Sequence, residues 1–269
     1  MSATPELFYG LRDQPFMKST PLKAPFMTID AQEAEGRLAC LKETRGIGVF
    51  IGIPGSGKTS ILKNFAGSLN PALYKLVYIP LTSVSVNEFL KMMAVGLNLE
   101  PKYKKSDLFG QIQDEIQYQV NEKRCIPVFI IDEAQYLPIQ VLRDLVMLLN
   151  FDMDSKDYCI LLLAGTEGLK SLLKRPACEA FRQRILVKYQ MNGMNLNEAR
   201  EYVKYVLDSC GAQEPIFSEA AVETAYRCSR GSVRKLNNIL SKCLQEGARQ
   251  RKRLIENDIV ESARQEIEF

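Results

Sequence analysis

The stretch GIGVFIGIPGSGKTSILKNF, Gly46 to Phe65, joins an apolar run, a glycine-rich turn, a lysine-threonine pair and a helix-like pattern. Gly48 to Ile51 is a short apolar run that predicts a buried strand, and Thr59 to Phe65 has the apolar spacing of a helix start. Between them Gly52-Ile-Pro-Gly-Ser-Gly-Lys-Thr59 has the Gly-x4-Gly-Lys-Thr spacing of a phosphate-cradling loop. Gly52, Gly55 and Gly57 let the backbone turn and come close to a ligand, so that N–H groups and the helix N-terminus point at phosphate oxygens. Lys58 then reaches the β and γ phosphates and Thr59 offers its hydroxyl to Mg²⁺, with Pro54, Ser56 and Ser60 in the same contact segment. The competing reading is a glycine-rich structural turn without nucleotide.

A second apolar strand, Val128-Phe-Ile-Ile, ends in Asp132-Glu133. Burying carboxylates without a partner is costly, so their place at a strand end points to a site. Asp132 is expected to hold Mg²⁺ and Glu133 to orient or activate the water that attacks the γ phosphate, the alternative being a loop-capping pair. Strands are also expected at Lys75–Leu81 and Tyr158–Ala164, with helices at Asn87–Gly96 and Ser106–Asn121. Leu108, Ile112, Ile116 and Val120 supply the apolar face of the second helix. This alternation predicts an α/β architecture, a mainly parallel sheet flanked by helices with ligands at the C-terminal strand ends. Thr166, after the last strand, either lies near the attacking water or caps a helix over Glu167–Leu173.

The 269 residues, 46% of them hydrophobic, suffice for a sizeable core. Lys and Arg exceed Asp and Glu by 35 to 32, a formal charge of +3 that favours an anionic partner only weakly. The absence of histidine removes the commonest metal ligand and neutral-pH acid or base, and the seven cysteines form no close pair. Scattered reduced thiols and the lack of a signal-like or spanning apolar run lead to an expectation of a cytoplasmic protein without a membrane segment. Asp152, Asp154 and Asp157 read as an exposed loop rather than a nuclease centre.

Five segments occur in the order seen in AAA+ ATPases: the phosphate loop, Ile131-Asp-Glu-Ala-Gln135, Leu163-Ala-Gly-Thr166, Phe181-Arg-Gln-Arg-Ile185 and Gly231-Ser-Val-Arg234. Over nearly the whole chain the sequence resembles the ExeA/TniB-type ATPase group, related to the transposition helpers TnsC, IstB and Mu B. Phe8-Tyr-Gly-Leu-Arg-Asp-Gln-Pro-Phe16 resembles the short arm preceding that group's core. The resemblance implies an AAA+ P-loop NTPase with a small all-helical lid, using ATP and Mg²⁺ and working as a homo-oligomer, a ring or a helical filament. It also implies sensor roles for Thr166 and Arg234 and an arginine finger at Arg184, a role that Arg182 could exchange. Two departures stand out. Thr166 replaces the group's usual glutamine, and Gly-Ser-Val-Arg replaces Gly-Val-Pro-Arg.

The expected organisation is an N-terminal arm and start of the core at 1–35, the ATPase core at 36–190 and a helical lid at 191–269. Lid helices are expected at Asn195–Cys210, Ser218–Cys228, Val233–Gly247 and Glu256–Glu266. Two basic groups, Lys102, Lys104 and Lys105 and then Arg249, Arg251, Lys252 and Arg253, are candidates for duplex-DNA phosphates, with solvated loops as the alternative. The subgroup implies an ATP-dependent regulator that assembles on target DNA and recruits or stimulates a separate transposase, which would perform the strand chemistry. The competing expectations are an ExeA-like secretion ATPase, disfavoured by how soon the chain finishes after its lid, and a general DNA-remodelling AAA+ protein.

Overall fold

The computed structural model describes residues 4–80 and 82–267. Leu81, the expected end of the second strand, lies outside them, as do residues 1–3 and 268–269 of the expected arm and lid. In chain order, α1 (Pro5–Tyr9) and α2 (Ile29–Thr44) precede β1 (Gly46–Gly52) and α3 (Lys58–Ser68). Next come β2 (Tyr74–Ile79), α4 (Val86–Gly96), α5 (Lys105–Asn121), β3 (Ile126–Ile131) and α6 (Ile139–Leu148). β4 (Ile160–Gly165), α7 (Glu167–Leu173), α8 (Glu179–Gln183) and β5 (Ile185–Met191) follow. The chain continues with α9 (Leu196–Ser209), α10 (Glu219–Ser229), α11 (Val233–Arg249) and α12 (Asn257–Ile267).

These elements fall into two compact units. One comprises residues 33–53 and 58–191 and holds the sheet, whose five parallel strands run in the order β2-β3-β4-β1-β5. β3 and β4 are buried almost throughout, because a parallel strand with helices on both faces needs apolar residues at every position. The expected face of α5 packs inward through Leu108, Ile112 and Ile116, with Val120 partly buried beside them. Ser85 and Glu88 form a reciprocal capping box that starts α4. With all strands parallel, the ends of β1, β3 and β4 share the C-terminal edge of the sheet, the edge where ligands bind in open α/β folds.

Three elements of this unit have weaker sequence signals. β5 alternates buried and exposed residues as an outer strand should, and α6 buries Val141, Leu142, Leu145 and Leu148. In α2 only Ala34, Leu38 and Leu41 form an inward face within an otherwise polar helix.

The other unit comprises residues 1–32, 54–57 and 192–269. Its core is made by α9–α12 together with the opening segment: Tyr9, Leu11 and Phe16 are buried among Tyr202, Val203, Phe217, Leu240 and Ile255. Phe16 meets the Phe217 ring edge-on at 6.2 Å, and the Tyr9 hydroxyl donates to the Lys252 carbonyl at 3.0 Å. Burial pushes the Tyr9 phenol up to about 12. The Phe8–Phe16 stretch is therefore part of the helical core.

Candidate functional site

The phosphate loop leaves β1 at Gly52 and enters α3 at Lys58. Gly55 (φ +79°) and Gly57 (φ +99°) occupy left-handed backbone conformations that L side chains resist. At Gly55 space adds to the constraint, since a Cβ would stand 2.5 Å from Ser232 Oγ and 2.8 Å from Arg234 Cβ. Lys58 is buried, and its ammonium donates to the carbonyls of Gly52 at 2.8 Å and Ile53 at 3.0 Å, which holds the charge at the loop. Ser60 follows on the exposed side of the first turn.

At the end of β3, Asp132 is 5% exposed. The Thr59 hydroxyl donates to its Oδ2 at 3.3 Å, the Tyr78 hydroxyl to the same oxygen at 3.2 Å, and the Glu133 N–H to Oδ1 at 2.9 Å. Burial and then the Asp132 charge raise the Tyr78 pKa. The two expected Mg²⁺ donors, Thr59 and Asp132, thus converge across 73 positions of sequence. Their hydroxyl and carboxylate oxygens are hard donors of the kind Mg²⁺ takes. Ser56 Oγ, in the same loop, is buried and has no hydrogen-bond partner among the described residues. An orphaned buried hydroxyl is costly unless a ligand completes it. Within the sheet unit, Lys58 and the Thr59–Asp132 pair fit a Mg²⁺-bound phosphate.

Glu133 adopts φ +52°, an uncommon conformation for a residue with a Cβ, and its carbonyl accepts the Thr82 hydroxyl at 2.9 Å. Its carboxylate accepts a 2.6 Å hydrogen bond from Gln135 Nε2. The same amide accepts, through Oε1, the Thr166 N–H at 3.1 Å. Gln135 therefore ties the end of β3 to the end of β4, and a Cβ at Gly165 would stand 2.7 Å from its Oε1. Thr166 itself caps α7, its hydroxyl accepting the Gly168 N–H at 3.4 Å. Gln135 is a site residue that sequence reasoning missed. Its signal was its place two residues after Glu133, and its contact with β4 required the folded sheet.

Arg184 ends α8 and donates to the Val146 carbonyl at 2.6 Å, while Arg182 donates to the carbonyls of Leu173 and Lys174 at 3.2 and 3.4 Å. Both guanidiniums thus bind backbone oxygens near helix C-termini, the favourable end for a cation. In the helical unit, Arg234 sits in the first turn of α11 and its N–H donates to the Gly55 carbonyl at 3.3 Å. Its neighbour Ser232, a second missed residue, N-caps α11 and donates from Oγ to the Pro54 carbonyl at 2.9 Å.

The two basic groups are partly occupied. Lys105 pairs with Asp144 at 2.5 Å, whereas Lys102 and Lys104 are exposed around Tyr103, itself 87% exposed. In the second group Arg249 forks onto Glu246 at 2.8 and 2.7 Å, Lys252 pairs with Asp258, and Arg253 lies 5.1 Å from the Phe8 ring centroid. Arg251 is exposed. Much of this charge density binds the helical unit to itself. Asp152 is held by Lys156 at 3.1 Å and Tyr158 at 2.9 Å in an exposed turn, hydrogen bonds that lower its pKa. Among the described residues no three His, Cys, Asp or Glu side chains cluster as a metal site, and no helix is long and apolar enough to cross a membrane.

Residues 41–173 match the family model described as an AAA domain. The chain is 29% identical over 242 residues to General secretion pathway protein A of Aeromonas hydrophila, covering 88% of this chain but only 44% of that protein. Among solved structures, Cdc6p from Pyrobaculum aerophilum superposes with a TM-score of 0.71 at 15% identity, over 94% of this chain and 70% of that one. The Aeropyrum pernix ORC1 protein in complex with DNA gives 0.61 at 16% identity, over 94% and 68%. The Thermotoga maritima RuvB Holliday junction branch migration motor gives 0.59 at 17% identity, over 93% and 72%. The fold is the AAA+ P-loop fold.

Proposed function

We propose that this chain is a Mg²⁺-dependent ATPase whose ATP-bound assembly engages duplex DNA and recruits or stimulates a separate transposase. The observation that carries the ATPase reading is the convergence of Thr59 on Asp132 in the same unit as the buried Lys58 ammonium. Loop N–H groups, Ser56 and Lys58 would hold the phosphate chain, and Thr59 and Asp132 would hold Mg²⁺. When bound, Mg²⁺ neutralises charge on the β and γ phosphates. Glu133 takes the proton of the attacking water, and Gln135 positions that carboxylate through its 2.6 Å hydrogen bond. Arg234 and Ser232, through the Gly55 and Pro54 carbonyls, relay the state of the loop to the helices of residues 191–269.

Arg184 acts on the site of a neighbouring copy in a ring or filament, exchanging its Val146 carbonyl for the γ phosphate. Mixing Arg184→Ala with Glu133→Gln protein tests this, because a mixed interface can unite one intact half from each mutant. Co-assembly without any recovered turnover rejects action in trans.

The DNA reading is supported by the exposed cations Lys102, Lys104 and Arg251 and by the subgroup resemblance, and it places the work in the cytoplasm. The identity to a secretion pathway protein favours a second reading, an ATPase serving secretion, and a general DNA-remodelling role is a third. The deciding experiment reconstitutes the protein with the transposase encoded beside it, donor ends and target duplex, comparing ATP, ADP and Glu133→Gln. Nucleotide-dependent stimulation of integration or of target choice supports the helper role. An active transposase that the protein neither binds nor alters rejects it.

A further inference from the structure

The helical unit contains a cavity of about 380 Å³ lined by Arg227, Cys228, Arg230, Lys235 and Arg264. Four of its five lining residues are cations, drawn from α10 and its C-terminal cap, α11 and α12. Arg227 pairs with Glu223 at 2.5 Å and Arg264 with Glu261 at 3.8 Å, but among the described residues no ion pair is formed by Arg230 or Lys235. Like charges gathered around one hollow repel each other, and an anion placed there relieves the repulsion. Arg230 also adopts φ +51° at the end of α10, where glycine or asparagine would meet less steric resistance. Its N–H closes α10 on the Tyr226 carbonyl at 3.0 Å, a bond any residue's backbone could make, and what the arginine side chain adds is a guanidinium at the cavity wall.

We infer that this cavity binds the phosphodiester backbone of duplex DNA. Guanidinium forks suit phosphate oxygens, and in a duplex the phosphates stand outside the paired bases, so a cation-lined hollow meets the backbone and the contact is indifferent to sequence. The inference rests on the reading that the protein acts on duplex DNA, and it names a site for that contact which neither basic group in the sequence includes. Its position also gives the contact a consequence. Arg230 is followed directly by Gly231 and Ser232, and Ser232 holds the Pro54 carbonyl of the phosphate loop. A phosphate gripped at Arg230 pulls on the segment that reads the nucleotide loop, so DNA and ATP affinities are coupled.

The test titrates full-length protein with a fluorescent duplex across a salt series in ATP, comparing wild type with Arg230→Ala/Lys235→Ala. Both replaced side chains are exposed, and unchanged thermal denaturation, with unchanged ATP affinity in the absence of DNA, verifies the fold. The expected result is a roughly tenfold or greater loss of affinity and a salt slope shallower by about 2, one unit per lost phosphate contact. In parallel, alkylation of half-buried Cys228 is followed by peptide mass, with exposed Cys40 of the other unit as internal control. Duplex should protect Cys228 and leave Cys40 unaffected. A wild type that binds duplex with a double variant of equal affinity and slope overturns the cavity and leaves the DNA reading standing. A wild type that binds no duplex in ATP overturns both. Protection of Cys228 by millimolar inorganic phosphate but not by duplex overturns the nucleic-acid assignment in favour of a free anion.

Discussion

The sheet unit and the helical unit are stabilised in different ways, and the contrast sets what each can do. In the sheet unit, β3 and β4 are continuous apolar strands whose C-terminal ends carry Asp132 and Thr166. Strands buried on both faces fix such groups closely, which suits hydrogen bonds of 2.6 to 3.3 Å around two carboxylates. The helical unit instead joins the chain's opening segment to its last helices, with Tyr9 bonded to Lys252 across 243 positions. Helices packed around an interleaved arm can shift with less loss of contact than a strand can leave its ladder. On the proposed function, bond-breaking belongs to the residues at the strand ends, and the helical residues bonded to Pro54 and Gly55 respond to the loop.

Four substitutions test that division, taken in decreasing order of effect. Glu133→Gln keeps an oxygen for the Gln135 amide but removes the base, so steady-state hydrolysis should fall by about 10²- to 10⁴-fold while equilibrium nucleotide binding persists. Unchanged hydrolysis would remove Glu133 from the chemistry. Phe16→Ala, in the helical core, should cost about 3 to 5 kcal/mol in thermal or denaturant unfolding. A loss below about 1 kcal/mol would mean the opening segment is not integral to that core.

Gln135→Ala separates positioning from folding. It should lower kcat roughly 10- to 100-fold with little change in KM, the pattern for a contact that matters chiefly in the transition state. An equal rise in KM with intact kcat would reassign Gln135 to nucleotide binding. Ser232→Ala removes the α11 cap and the hydrogen bond to Pro54, and should cost about 1 kcal/mol of stability. If the helical unit reads the loop, the same variant should also lessen the difference between its ATP- and ADP-bound states in hydrogen exchange along α11. Identical exchange differences in variant and wild type would uncouple Ser232 from that reading.

The legible parts of the molecule were those written in one short stretch of chain. The glycine spacing before Lys58-Thr59, the apolar runs of β1, β3 and β4, and the face of α5 each carry their periodicity within a dozen or so residues, and the strands and helices appear within a few residues of their expected limits. α2 was not legible because only Ala34, Leu38 and Leu41 mark its inward face. β5 was not legible because an outer strand such as Ile185–Met191 mixes Lys188 and Gln190 with its apolar positions. In the site, Thr166 could be placed at the end of β4 from sequence, but its choice between cap and ligand depended on where Gly168 and Gln135 stood.

By itself, then, the sequence determined the phosphate loop, the strand-end carboxylates and the α/β order, since local backbone preference and the side-chain periods of strand and helix act between near neighbours. Tertiary structure alone decided which cations are spent on Glu246, Asp144 and Asp258, that the Gln135 amide spans from Glu133 to Thr166, and that Tyr9 and Phe16 belong to the last helices. Each of these depends on a partner brought near by folding. Charge and hydrogen-bonding capacity can be read from a residue, but whether they are already satisfied is a property of its surroundings.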